Sequence, residues 1–187
     1  MKLCIDAGHG GSDPGGVGRD PFLLAEKTLT LNLARLVEAE LTRRGHRVVM
    51  TRRRDRTLGL SARAAFANRL AADVFVSIHT NAAPKPDVEG MEVFHFPGSR
   101  PGRTLAQSVL VRMLETFPAH RNRGVKSANF VVLRETRMPA ILVECEFLTN
   151  PRQLRFLGRR ANQVRLARAI AVGLTSSRAR SDRQNPA

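Results

Sequence analysis

Two patterns exchange regularly along this chain, and that exchange limits its fold more than any other feature. Short apolar runs of strand length alternate with longer segments in which apolar residues recur every three to four positions. Residues 2–6, 73–79 (DVFVSIH) and 140–144 (AILVE) are apolar almost throughout, which suits strands covered on both faces. HRVVMT (46–51), GMEVFHF (90–96) and NFVVLRE (129–135) are expected as further strands. Between them, helices are expected over 28–44, with Leu29, Leu33, Val37 and Leu41 on one face and Gly45 as the stop, over about 61–71 behind a Ser61 cap, and over 102–117. A last helical region runs from Asn150-Pro151 to about residue 174. Buried strands joined through helices imply a single α/β domain over 1–174, a twisted, mostly parallel sheet flanked by helices on both faces. The remainder, TSSRARSDRQNPA (175–187), has no apolar residue larger than alanine and is expected to be a disordered basic tail.

At 187 residues and 42% apolar composition the chain can bury the core of one domain. No run reaches the roughly 18 apolar residues that a membrane helix needs. A strand-like stretch follows Lys2 where a signal peptide would have a longer apolar region, so the chain is either released on lysis or a trimmed mature domain. Cys4 and Cys145 form neither a disulfide framework nor a CxxC pair and read as buried thiols. The 31 Lys and Arg against 16 Asp and Glu leave a net charge of +15. Arginines gather at 43, 44, 47, 52, 53, 54 and 56, and again at 152, 155, 159, 160, 165 and 168. Such faces attract polyanions, whether nucleic acid or anionic envelope polymers, and solvated helix faces are the plainer alternative. Charge alone does not choose between them.

The first apolar run breaks into IDAGHGGSDPGG, a glycine-rich loop around one histidine. A phosphate cradle is the obvious reading and it fails: no Gly-Lys pair exists, and Gly8, Gly10 and Asp13 do not fit GxGxxG. His9, His79 and Glu144 each end an apolar run and precede a loop. In open α/β sheets the carboxyl ends of the strands are where ligands gather. Two imidazoles and a carboxylate make a catalytic zinc set with one position left for water, and a further carboxylate must then take that water's proton. Glu26, ahead of a helix, is available, and on spacing alone Glu26 and Glu144 compete for the ligand role. Asp13-Pro14-Gly15 reads as a turn.

IDAGHGGSDPG, AEK opening a helix, TRRRD, ARAAFAN, ADVFVSIHTNA and RGVKSANFVVLRETRMPAILVECEFLTN, in that order, resemble the zinc-dependent N-acetylmuramoyl-L-alanine amidases of the AmiA/AmiC/CwlV type over residues 1–174. The resemblance implies one Zn2+ per chain held by His9, Glu26 and His79, with Glu144 as the catalytic residue. It assigns Asn81, Arg123 and Lys126 to substrate contact. It further implies hydrolysis of the amide between the lactyl group of N-acetylmuramic acid and L-alanine of the stem peptide. Peptidoglycan is then the partner and the cell envelope, periplasmic or extracellular, the place of action. The enzyme is expected to be a monomer that requires no nucleic acid, with the arginine clusters available to anionic envelope polymers. The family's regulated members insert a plug helix after the second histidine. Only about ten residues separate His79 from the next strand, so an open site is expected, as in phage endolysins and the catalytic domains of spore and cell-wall lysins. Glu146 stands where the family has glycine and is expected to face solvent; His46, His95 and His120 are expected to be structural. A basic non-catalytic protein binding envelope or nucleic acid is the alternative, and the four retained site residues speak against it.

Overall fold

Leu3, Cys4 and Ile5 are hydrogen-bonded to a parallel strand on each side and fully buried, so the N-terminal run lies deep inside a sheet. The structure, a computed structural model, describes residues 1–184, with side chains to residue 176. In chain order its elements are β1 (Lys2–Ala7), a small hairpin β2 (Val17–Gly18) and β3 (Leu24–Ala25), α1 (Glu26–Arg43), β4 (Arg47–Met50), α2 (Leu60–Arg69), β5 (Val74–Asn81), β6 (Met91–His95), α3 (Arg100–Thr116), β7 (Asn122–Ser127), α4 (Val131–Arg134), β8 (Ala140–Phe147), α5 (Pro151–Gly158) and α6 (Arg160–Gln184). The main sheet has the order β4-β1-β5-β8-β6-β7. β4, β1, β5 and β8 run parallel; β6 is antiparallel to β8, and β7 is parallel to β6.

Strand residues alternate between the two faces. Leu3, Ile5, Val76, Ile78, Ile141 and Val143 pack in one large cluster with the apolar stripes of α1, α3 and α6. Cys4, Phe75, Ala140 and Leu142 face the other way, onto α2 and α4, in a smaller cluster. The mostly parallel α/β sheet with helices on both faces is therefore as expected.

Several boundaries differ from expectation. Residues 129–135 are not a strand: Phe130 starts the single-turn helix α4, which seats Val132 and Leu133 against the sheet. The strand in this region is β7, whose sequence NRGVKS is polar and half-exposed because it forms the sheet edge, where charged residues discourage pairing with another chain. α2 begins at Leu60 behind Gly59, so Ser61 lies inside the helix rather than at its cap. The C-terminal helical region is two helices, parted at Gly158–Arg159. α6 continues to Gln184, past residue 174 and into the stretch expected to be disordered; its composition there is free of Gly and Pro. Residues 185–187 of that expected tail lie outside the described residues.

Candidate active site and metal centre

The carboxyl ends of β1, β5 and β8 meet at one edge of the sheet, and the start of α1 is folded against it. Glu26 is the first residue of α1, and the carbonyls of Gly16 and Pro14 accept the N–H groups of Glu26 and Lys27. The loop after β1 thus takes the place of a side-chain cap. Its glycines have a steric purpose. A Cβ on Gly8 would lie 2.3 Å from the His79 ring, and one on Gly15 (φ +66°) would lie 2.6 Å from Glu26 Oε2 and against the His9 ring.

Within this space three of the expected residues come together. Glu26 is 4% exposed, and its carboxylate faces both imidazoles: Oε2 is 3.1 Å from His9 Nε2, and Oε1 is 2.9 Å from His79 Nδ1. The N–H groups of Gly16 and Thr80 donate to the same carboxylate at 2.8 and 3.0 Å. The ligand atoms of His9, Glu26 and His79 all lie within 4.8 Å of one another. Asp13, which from sequence is only a turn residue, accepts at 2.8 Å from His9 Nδ1 and so leaves Nε2 free to face Glu26. Burial opposes a charged His9, but Glu26 and Asp13 outweigh it and raise its pKa. Burial likewise pushes Glu26 up, and the two imidazoles more than reverse this, holding its carboxyl well below the usual range. Two imidazoles converging on a buried carboxylate form a site able to hold a divalent metal ion.

Glu144 projects from β8 directly beside His79 in the parallel register. Both strands run on beyond these residues, to Asn81 and Phe147. Glu144 Oε2 is buried and has no hydrogen-bond partner among the described residues. Burial raises its pKa well above the ordinary carboxylate value, and the negative charges of Glu26 and Glu92 raise it further. His9, His79 and Glu144 line a cleft of about 560 Å³ whose lining also includes an apolar wall of Leu58, Leu60 and Phe130. Leu60 and Phe130 are 55% and 39% exposed, so this wall opens to solvent. The segment that was expected to be a strand over 129–135 supplies part of it. The connection 82–90 contains no helix, in keeping with the short spacing.

Asn81, Arg123 and Lys126 are not among the residues lining that cleft. All three instead bind one buried carboxylate, Glu92: Asn81 Nδ2 donates at 2.7 Å, Arg123 Nε at 3.0 Å, and Lys126 Nζ also pairs with it. Glu92 lies opposite Glu144 across the β6–β8 pair. Sequence reasoning missed it because its partners are 11 to 34 residues away.

Glu146 does not face solvent. It is fully buried, accepting from the N–H groups of Gly90 and Phe147 and pairing at 2.8 Å with His120 Nδ1. The cause is a β-bulge: from His79 to Asn81, β8 uses one residue more than β5, which re-aims the side chains after Glu144. His120 and His95, bonded to Glu146 and to the Phe96 carbonyl, are structural here.

Residues 3–176 match the N-acetylmuramoyl-L-alanine amidase family. The chain belongs to that family. The sporulation-specific N-acetylmuramoyl-L-alanine amidase of Bacillus subtilis is 37% identical over 176 residues, spanning 93% of this chain and 67% of that protein. Among solved structures, the amidase AmiC2 of Nostoc punctiforme is similar with a TM-score of 0.89 at 37% identity, covering 96% of this chain and 97% of that one. The catalytic domain of CwlV from Bacillus (Paenibacillus) polymyxa var. colistinus gives 0.88 at 35% identity, with 95% and 98% covered. In the amidase family, then, this chain joins relatives named for cleaving the bond that the sequence motifs imply.

Proposed function

We propose that this protein is a zinc-dependent peptidoglycan amidase acting in the cell envelope, which cleaves the lactyl–L-alanine amide of the stem peptide. The observation that carries the reading is Glu144: its Oε2 is buried and unpartnered among the described residues, in the cleft that His9 and His79 of the donor cluster also line. His9 Nε2, Glu26 and His79 Nδ1 would hold the ion, with His9 oriented by Asp13. Zinc, when bound, polarises the scissile carbonyl and brings the pKa of a coordinated water toward neutrality.

Glu144 does the proton work. Its free Oε2 accepts a proton from the attacking water, and burial makes the resulting carboxylic acid easy to retain. It then delivers that proton to the alanine nitrogen, which leaves as an amine and not as a high-energy amide anion. A non-catalytic binding protein would need neither a pre-aligned donor cluster nor a buried, unpaired acid.

The test is Glu144→Gln. The variant should retain zinc near one per chain, measured by metal analysis, while turnover of a defined muropeptide falls by roughly 10²–10⁴-fold. Turnover near wild type removes Glu144 from the reaction, and lost zinc makes it a ligand instead.

A further inference from the structure

Among the described residues Arg52 is the bulkiest fully buried side chain, at 1% exposure, although Arg53 and Arg54 beside it are surface arginines. Its guanidinium fans out over backbone carbonyls. Nε donates to Ala7 O at 2.9 Å, and Nη2 donates to Gly8 O and to Lys27 O, both at 2.8 Å. Nη2 also lies 3.1 Å from Thr30 Oγ1, which itself donates to Gly8 O. Among the described residues no carboxylate forms a salt bridge with Arg52. A buried cation without an anionic partner is costly to fold around, so its environment is informative.

The carbonyls it binds belong to two segments. Ala7 and Gly8 lead directly into His9, which has φ of 60°, a left-handed conformation unusual for a non-glycine residue. Lys27 follows Glu26 in the first turn of α1. Arg63, also buried, binds Asp6 Oδ1, Ala7 O and His9 O at 2.7–2.9 Å, and its hydrogen bonds do not extend to α1. Arg63 therefore secures the His9 loop to α2, whereas Arg52 joins that loop to the helix bearing Glu26.

We infer that Arg52 is a positioning residue for the metal centre: one guanidinium, bonded to carbonyls of both the His9 and Glu26 segments, sets the spacing of the two donors and hence the affinity for the ion. The inference rests on reading His9, Glu26 and His79 as a zinc site. Lysine offers one compact ammonium and cannot reproduce the planar fan, so even the conservative change should be felt.

The experiment measures zinc affinity by chelator competition, with the Co2+ absorption spectrum as a second readout, in wild type, Arg52→Lys, Arg52→Ala and Leu41→Ala. Leu41 is fully buried in the last turns of α1 and serves as a control for general destabilisation. Both Arg52 variants should bind zinc roughly 10–100-fold more weakly, the range for loss of a partner that orients a ligand. Millimolar guanidinium should restore part of the affinity of Arg52→Ala, while Leu41→Ala should lower the Tm and leave affinity unchanged. Affinity within twofold of wild type in Arg52→Lys and Arg52→Ala overturns the inference; so does an equal loss in Leu41→Ala at a matched fall in Tm. If Arg52→Ala is insoluble, Arg52→Lys decides. Wild type that takes up no zinc overturns the reading of the site itself, an outcome distinct from normal uptake with indifferent variants.

Discussion

Glu144 occupies a strand whose other residues are chosen for burial, and its charge is correspondingly expensive there. A carboxyl whose folded pKa lies above its unfolded value of 4.5 folds best when protonated. Its contribution to stability is fully present below pH 4.5 and is lost as pH rises through the folded pKa. In chelator-treated protein, Glu144→Gln should therefore melt at a higher temperature than wild type at neutral pH, and the gain should vanish in acid. Equal melting temperatures at neutral pH would mean that Glu144 is better solvated than its surroundings indicate. The acid proposed for catalysis is thus expected to weaken the fold it belongs to. His9 and His79 stand out in the sequence as candidates because each closes or follows an apolar run, whereas Glu26 is set apart from Glu144 only by the family resemblance. Asp13, Glu92 and Arg52 were not, since their roles depend on partners that only the folded chain brings near. Arg52 in particular looks like one more member of a charged surface run.

At the scale of elements, the two faces of the sheet are unequal. The face under α1, α3 and α6 has dozens of interlocking side chains, whereas the α2–α4 face relies on a small group centred on Phe75. Phe75 is fully buried within this small cluster. Phe75→Ala should cost about 3–5 kcal/mol. Thermal melts should show this as a fall in Tm of roughly 6–20 °C for a chain of this size. A loss under about 1 kcal/mol would mean the face is loosely packed. Elements with buried stripes, such as α1 and β5, were readable because their apolar periodicity is strong. The exchange of roles between 122–127 and 129–135 was not, because an edge strand can be as polar as a loop, and a short β-branched run can close one helical turn when two consecutive side chains need burial. The bulge in β8 is invisible to any strict two-residue alternation, so the burial of Glu146 cannot be read from the strand's sequence.

Over the whole molecule, charge is divided into two populations. Arg52 and Arg63 are internal, and Arg43, Arg44 and Arg53 pair with Glu40 or Glu38 on and beside α1. The second group, Arg152, Arg155, Arg159, Arg160, Arg165 and Arg168 on and between α5 and α6, is exposed throughout. If this face holds the enzyme to anionic envelope polymers, binding to isolated sacculi should fall steeply with salt, as the screening length shrinks from about 10 Å at 0.1 M to about 3 Å at 1 M. Replacing Arg159, Arg160 and Arg168 with glutamine should reduce that binding and leave cleavage of a small soluble muropeptide unchanged. Salt-insensitive binding would leave the basic face without that role.

The strand order has a last consequence, for folding. β8 is the final strand in sequence, yet it is laid between β5 and β6, near the middle of the sheet. A nascent chain can therefore bring His9, Glu26 and His79 into existence long before β5 acquires its second neighbour, and the sheet cannot close by simple accretion from one end. Pairing across such sequence separation is slow, and until it happens β5 and β6 both present open edges. Glu144 enters on the strand that closes this gap. One insertion event completes both the sheet and the site proposed above, so a half-folded chain would carry the proposed metal donors without the proposed proton carrier.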